Sequence, residues 1–301
     1  MEILWLGHPD CRDVNRVGAK AANLSHLLAH SRVPPGFCVT VAAYAQWAER
    51  ASHQIEPTTG EPTAIIQSVP YALYSKLVAA YRDLADICGV AEPSVAVRSS
   101  AIDEDGPTAS FAGQYDTYLN IVGVEAVVKA VGQCWASTRT VRALEYCRSQ
   151  GLAVEGVRLA VLIQQLVQAD SSAVVFSANP VTGSRDHILI NASWGLGESI
   201  VSGAVTPDAY VVRKDDLAIV EYQITQKRRM TILAPEGTQE AAVPPQLQHT
   251  PAVTDDQVRE MAQLSMALES AMGWAVDIEC AYRGRELYLL QCRPITTLGV
   301  L

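Results

Sequence analysis

The stretch from Val95 to Leu119 constrains this chain more than any other part of it. It starts as a strand, with Val95 and Val97 alternating with Ala96 and Arg98 after Pro93. The residues that follow offer almost nothing to bury. Thr108 and Ser110 carry hydroxyls, and Gly106, Ala109, Ala112 and Gly113 leave the backbone uncovered. A small-residue loop leaving a strand that ends near an arginine suits a polyphosphate. Backbone N–H groups can crowd around oxygens that larger side chains would block, and a guanidinium grips two oxygens at once. The acidic run Asp103-Glu104-Asp105 would repel an anion and belongs on a solvated shoulder. A bare surface loop is the alternative, but loops this long in compact domains are usually functional or disordered.

Composition removes several function classes. The 301 residues are 49% apolar and 18% charged, enough for a packed core and too apolar for a disordered chain. A net charge of −9 leaves no basic surplus to displace counterions from a nucleic acid, so no nucleic-acid partner is expected. The one basic cluster, Lys227-Arg228-Arg229, reads as a solvated strand end. No apolar run is long enough for a membrane span, and the first residues lack a signal-peptide layout. The seven cysteines form no Cys-x-x-Cys and several sit in apolar runs. They read as reduced, mostly buried thiols, which points to a cytoplasmic protein.

Taken in order, Asn15 onward opens a helix with Leu24, Leu27 and Leu28 on its apolar stripe. Lys20 falls in its first turn, just past Gly18-Ala19. A cation there opposes the helix dipole, and a bound phosphate would supply a reason for it; a plain surface lysine is the alternative. Val33–Thr40 reads as a turn feeding a strand, Val41–Ala51 as a helix, 53–63 as a loop, Ala64–Leu84 as a helix and Glu125–Gln150 as one long helix. Leu159–Val167 is a buried strand closing on Gln164 and Gln165, whose amides need partners. Strands follow at Ala173–Ser177, His187–Ala192, Ala209–Arg213 and Leu217–Gln226, then a polar loop over 234–252. Thr254 and Gln257 form a capping box opening a helix to about Met272.

Two strands close the chain, Val276–Tyr282 and Glu286–Pro294, with Arg283-Gly284-Arg285 as the turn. Alternation puts Asp277 and Glu279 on one face, and Leu289, Gln291 and Arg293 on one face of the second strand. Pairing can then set Glu279 beside Gln291 with Arg293 one step along. Two oxygen ligands next to a guanidinium suit Mg²⁺ bridging phosphates. A plain salt bridge between Glu279 and Arg293 is the alternative.

Val97-Arg98-Ser99-Ser100-Ala101, with Ser110-Phe111-Ala112-Gly113-Gln114-Tyr115-Asp116-Thr117, resembles the nucleotide-binding domain of the pyruvate phosphate dikinase, phosphoenolpyruvate synthase and rifampin phosphotransferase family. The likeness continues through Pro34-Pro35-Gly36-Phe37, Ser177–Gly183, Ala192–Glu198 and the final hairpin, departing at Val175, where a glycine is common. It implies an α+β fold, two-lobed and ATP-grasp-like, with a first lobe over 1–167 and a second over 168–301. It implies an ATP site of Lys20, Arg98, Thr108, Ser110, Gly113, Thr117, Gln164, Leu166, Glu279, Gln291 and Arg293. Lys20, Arg98 and Arg293 would act on phosphate, Gln164 to Val167 would meet adenine, and Glu279 and Gln291 would bind Mg²⁺. None of the six histidines has the Gly-Gly-x-x-Ser-His-like context of the family's phospho-acceptor. The expectation is therefore an ATP-binding component that passes a phosphoryl group to a histidine on a separate protein, giving AMP and phosphate. A kinase or ligase acting directly on a small molecule and giving ADP is the alternative, and a nucleotide-sensing module the third reading.

Overall fold

The computed structural model describes residues 1–52, 69–102, 116–149 and 157–298. It has an α+β fold of two compact units, Met1–His26 with Pro35–Leu166, and Leu27–Pro34 with Val167–Leu301. The expected loop over 53–63, and Thr108, Ser110 and Gly113, lie outside the described residues.

The first unit contains β1 (Ile3–Trp5), α1 (Val14–Leu27), β2 (Gly36–Val39), α2 (Val41–Ser52), α3 (Tyr71–Cys88), β3 (Val95–Ala101), β4 (Thr117–Ile121), α4 (Val124–Ser137), α5 (Val141–Ser149) and β5 (Leu159–Gln165). Its five strands run in the order β1-β2-β5-β3-β4, each pair antiparallel. Phe37, Val39, Val95, Val97, Val161 and Ile163 form one buried sheet face, joined in a single core with Trp47, Leu77, Leu84, Val131 and Trp135 of the helices. The opposite face meets α1: Val17 O accepts from Ser100 Oγ at 2.8 Å, and the Cys38 thiol lies 3.6 Å from the same carbonyl.

Two helix expectations change. The single helix over Glu125–Gln150 is two, α4 and α5. Hydroxyls break it: Thr138 Oγ1 donates to Trp135 O at 2.7 Å, and Thr140 Oγ1 accepts from Ala143 N at 3.3 Å, capping α5. The helix expected from Ala64 begins at Tyr71 within the described residues, behind Pro70, and ends at Cys88 where Gly89 turns left-handed. The helix α1 is also interrupted, because Gly18 has φ 72° and ψ 169°. Its regular turns begin after Gly18, which leaves Lys20 in the first of them.

The second unit holds β6 (Ser171–Phe176), β7 (His187–Trp194), α6 (Glu198–Val201), β8 (Asp208–Arg213), β9 (Ile219–Gln223), β10 (Arg229–Leu233), β11 (Thr238–Ala242), α7 (Asp255–Met272), β12 (Val276–Arg283) and β13 (Glu286–Pro294). Six strands form a sheet in the order β13-β12-β6-β7-β8-β9. The helix α7 opens on the expected capping box, with Thr254 Oγ1 accepting from Gln257 N and Gln257 Oε1 from Thr254 N. It packs against β6, β7, β8 and β12 and buries Val258, Met261, Ala262 and Leu268. Early in the chain, Leu27–Pro34 joins this unit: Arg32 O accepts from Leu289 N at 2.9 Å, and Arg32 pairs with Glu286 while lying 5.5 Å over the Tyr288 ring.

The segment expected as a polar loop over 234–252 contains β11, paired with β10 from Arg229↔Ala242 to Leu233↔Thr238. In the adjoining basic cluster Arg228 and Arg229 are exposed at the start of β10, as expected of a solvated strand end, but Lys227 is not. Lys227 is buried, its Nζ donating to Asp208 Oδ1 at 2.5 Å and to Thr225 O at 3.0 Å. Asp208 also accepts from Thr225 N and Ala252 N, each at 2.9 Å. A buried ammonium needs these partners, and its charged one, Asp208, lies 19 positions away in sequence. No helix among the described residues is long and apolar enough to cross a membrane. Of the described cysteines, Cys11, Cys38, Cys134, Cys280 and Cys292 are buried and Cys88 half-buried, all as free thiols.

Candidate functional site

In the second unit the candidate residues are placed by the β12–β13 hairpin. Its register sets Glu279 opposite Gln291 and Asp277 opposite Arg293, so the four side chains share a sheet face. Leu289 leaves that face. A bulge at Glu279/Cys280 brings it opposite Cys280, where both are buried. Arg293 Nε donates to Asp277 Oδ2 at 2.8 Å, so Asp277 is a carboxylate the structure places on Arg293. Asp277 Oδ1 is buried with no hydrogen-bond partner among the described residues. Burial pushes the Asp277 carboxyl above the usual carboxylate range, Arg293 pulls it back, and Glu279 adds repulsion.

These donors fit magnesium. Glu279 and Gln291 are hard oxygen ligands side by side, and the unpaired Asp277 oxygen adds a third on the same face. Among the described residues no group of three or more His, Cys, Asp or Glu forms a metal cage. A cation here would therefore take part of its shell from water or from a ligand's own oxygens.

The first unit gathers its own set. The register pairs Arg98 with Leu162 on β5 and with Thr117 on β4, and Gln164 lies two residues beyond Leu162. Arg98, Thr117 and Gln164 thus share the sheet face that meets α1. Lys20 is carried to this face by Gly18. A Cβ on Gly18 would lie 1.8 Å from Ser100 O, so only glycine permits the approach. Ser100 then bridges the break in α1, donating to Val17 O and accepting from Ala21 N at 3.2 Å. Gly18 therefore admits a strand. Lys20 is buried and Arg98 half-buried. Leu166 lies just past β5, its N–H donating to Ser94 O at 2.9 Å.

The glycine segment Gly195–Glu198 is likewise scaffold. Gly195 O accepts from Ser172 Oγ at 2.7 Å, Leu196 N donates to Thr231 O, and Glu198 Oε2 accepts from Thr238 Oγ1 at 2.8 Å, tying the segment to β10 and β11. Asp277 is the residue the sequence undervalued. Its place beside Glu279 was visible, but its grip on Arg293 depends on which strand positions face each other.

Lys20 on α1 with Arg98 and Gln164 on the sheet gather in one unit, and a carboxylate–amide–guanidinium set gathers in the other. The comparisons give the family. Residues 14–300 match the pyruvate phosphate dikinase, AMP/ATP-binding domain family, and the chain belongs to it. Among curated relatives, a probable phosphoenolpyruvate synthase from Methanocaldococcus jannaschii is 38% identical over 317 residues, covering 98% of this chain and 27% of that protein. The phosphoenolpyruvate synthase of Pyrococcus furiosus is 37% identical over 357 residues, covering 98% and 44%. The prodigiosin synthesizing transferase PigC of Serratia marcescens is 39% identical over 290 residues, covering 94% and 32%. The chain thus spans between about a quarter and under a half of these relatives' length.

Proposed function

We propose that this ATP-grasp-like domain binds MgATP and passes the β-phosphoryl group to a histidine on a separate protein. Overall, ATP, histidine and water give phosphohistidine, AMP and phosphate. The observation that carries the reading is the register of the last hairpin, Glu279 against Gln291 and Asp277 against Arg293. In this reading Glu279 and Gln291 hold Mg²⁺, which when bound offsets the charge of the phosphate oxygens. Arg293, held at Nε by Asp277, turns its remaining N–H groups to phosphate. Lys20 and Arg98 neutralise further phosphate charge. The segment holding Thr108, Ser110 and Gly113, with Thr117, lays backbone and hydroxyl donors along the oxygens. Gln164 and Leu166 receive the adenine. None of these residues is a covalent nucleophile; the protein contributes positioning and charge, the usual division in phosphoryl transfer.

The test has two parts. Saturating MgATP should raise the thermal midpoint, with about 2.7 kcal/mol gained at a hundredfold excess over Kd. An unmoved melt refutes nucleotide binding. The isolated chain should turn ATP over slowly, and a partner bearing the histidine should restore turnover with AMP and an acid-labile phosphate on the partner. Rapid ADP formation with only a small molecule added would favour a direct kinase or ligase instead.

A further inference from the structure

The six-stranded sheet ends on β9, which among the described strands is bonded to β8 alone. Its other edge is open. Along β8, Arg213 N donates to Ala218 O at 2.9 Å on the β9 side, and Lys214 N donates to Asp186 O at 3.0 Å on the β7 side. Backbone groups alternate in this way down a strand, so Val211 and Ala209 bond toward β9 and Tyr210 toward β7. The register sets Tyr210 opposite Tyr222, which leaves the Tyr222 N–H and C=O directed off the sheet. The side chains are uncovered too: Tyr222 is 68% and Val220 47% exposed, with Glu221 and Gln223 exposed beside them. Lysine, proline or a bulge commonly blunts such an edge. β9 contains neither lysine nor proline, and its bulge precedes Glu221, leaving Glu221–Gln223 in regular register with β8.

Turned end for end, the same strand fits this edge. An antiparallel pair centred on Tyr222 sets each Tyr222 opposite its copy, exchanging two N–H···O bonds and laying the two rings side by side. Glu221 then faces Gln223 of the second copy instead of another carboxylate, and Val220 comes opposite Ile224. The charges at the strand ends agree. Asp215 and Asp216 are exposed in the turn before β9, and Arg228 and Arg229 are exposed beyond its end. Antiparallel pairing brings the acidic end of one copy to the basic end of the other. We propose that two copies of this chain join through β9 into one continuous sheet. A strand of five residues buries little area, so the pair is weak, with a Kd of about 10–100 µM. β9 stands at the sheet edge opposite the β12–β13 hairpin, and the proposal is independent of the nucleotide reading.

Sedimentation velocity of the full chain, from about 2 µM to about 200 µM, reads the association. The wild type should pass from monomer to dimer across that range. Tyr222→Lys, which sets two ammonium groups across the axis, should weaken the dimer at least about tenfold. Gln223→Lys should tighten it about threefold to tenfold, by placing an ammonium against Glu221 of the second copy at two symmetric positions; Gln223→Glu should weaken it by a similar factor. Both positions are exposed, so the variants should keep the wild-type circular dichroism spectrum. A general loss of stability cannot produce opposite shifts at Gln223. A wild type still monomeric at about 200 µM overturns the pairing and leaves the edge to solvent or a foreign strand. A dimer unmoved by Tyr222→Lys, or by the two Gln223 substitutions, places the contact elsewhere and overturns it as well.

Discussion

Replacing Gly18 with alanine should damage the first unit more than any other single methyl group. Gly18 sits at φ 72° and ψ 169°, a region open almost only to glycine, and an alanine there stores about 1–3 kcal/mol of strain. The new Cβ would also fall 1.8 Å from Ser100 O, a backbone atom of β3 that cannot rotate away. Relieving that overlap means parting α1 from β3, which breaks the Ser100 hydrogen bonds to Val17 O and Ala21 N, about 1 kcal/mol each. The expected loss is about 3–5 kcal/mol. Gly89→Ala is the matched control: its φ is 68°, but nothing lies within 4 Å of an added Cβ, so only about 1–2 kcal/mol of left-handed strain applies. Urea titrations of both variants, followed by far-ultraviolet circular dichroism and tryptophan fluorescence, measure the difference. Equal losses for the two glycines would refute the claim that close approach to β3 is what Gly18 provides. A Gly18→Ala chain that still folds should also bind MgATP more weakly, because Lys20 moves with α1.

Lys227→Met should cost about 3–5 kcal/mol, since it strands the buried Asp208 carboxylate; a loss below 1 kcal/mol in chemical denaturation would show the pair to be dispensable. Glu279→Gln should lower turnover with a histidine-bearing partner far more than it lowers ATP affinity, because metal charge matters most as charge develops in transfer; undiminished turnover would remove Glu279 from the metal site. Burial pushes the Cys11 thiol up to about 11, so its thiolate fraction at pH 8 is roughly a hundredfold below that of an ordinary exposed thiol. Alkylation of Cys11 in the folded chain should be correspondingly slow and should speed up as pH rises toward 11; labelling at pH 8 as fast as in urea would refute this.

The sequence alone determined whatever depends on a few neighbouring residues. Period-two alternation marked β3 and the closing hairpin, an apolar run marked β5, and Thr254 with Gln257 announced the start of α7, because strand pleat and helix caps are local geometry. The same pleat, with a short turn, is enough to put Glu279 beside Gln291. Local reading failed where hydroxyls or a bulge could act in more than one way, as in the break at Thr138–Thr140 and the shift of Leu289 off the Gln291 face. Tertiary structure alone decided which charges meet. Lys227 in a basic triplet looks solvated until Asp208, 19 positions away, closes on it. That Arg293 Nε bonds Asp277, 16 positions away, follows from strand register, which sets the two opposite each other. Gly18 needed Ser100, whose hydroxyl bonds to Val17 O across 83 positions, to show that its missing side chain makes room for a strand. Propensity and capping act over one or two turns of chain. Ion pairing, desolvation and close backbone approach are set by what the fold brings alongside, and no local pattern encodes that neighbour.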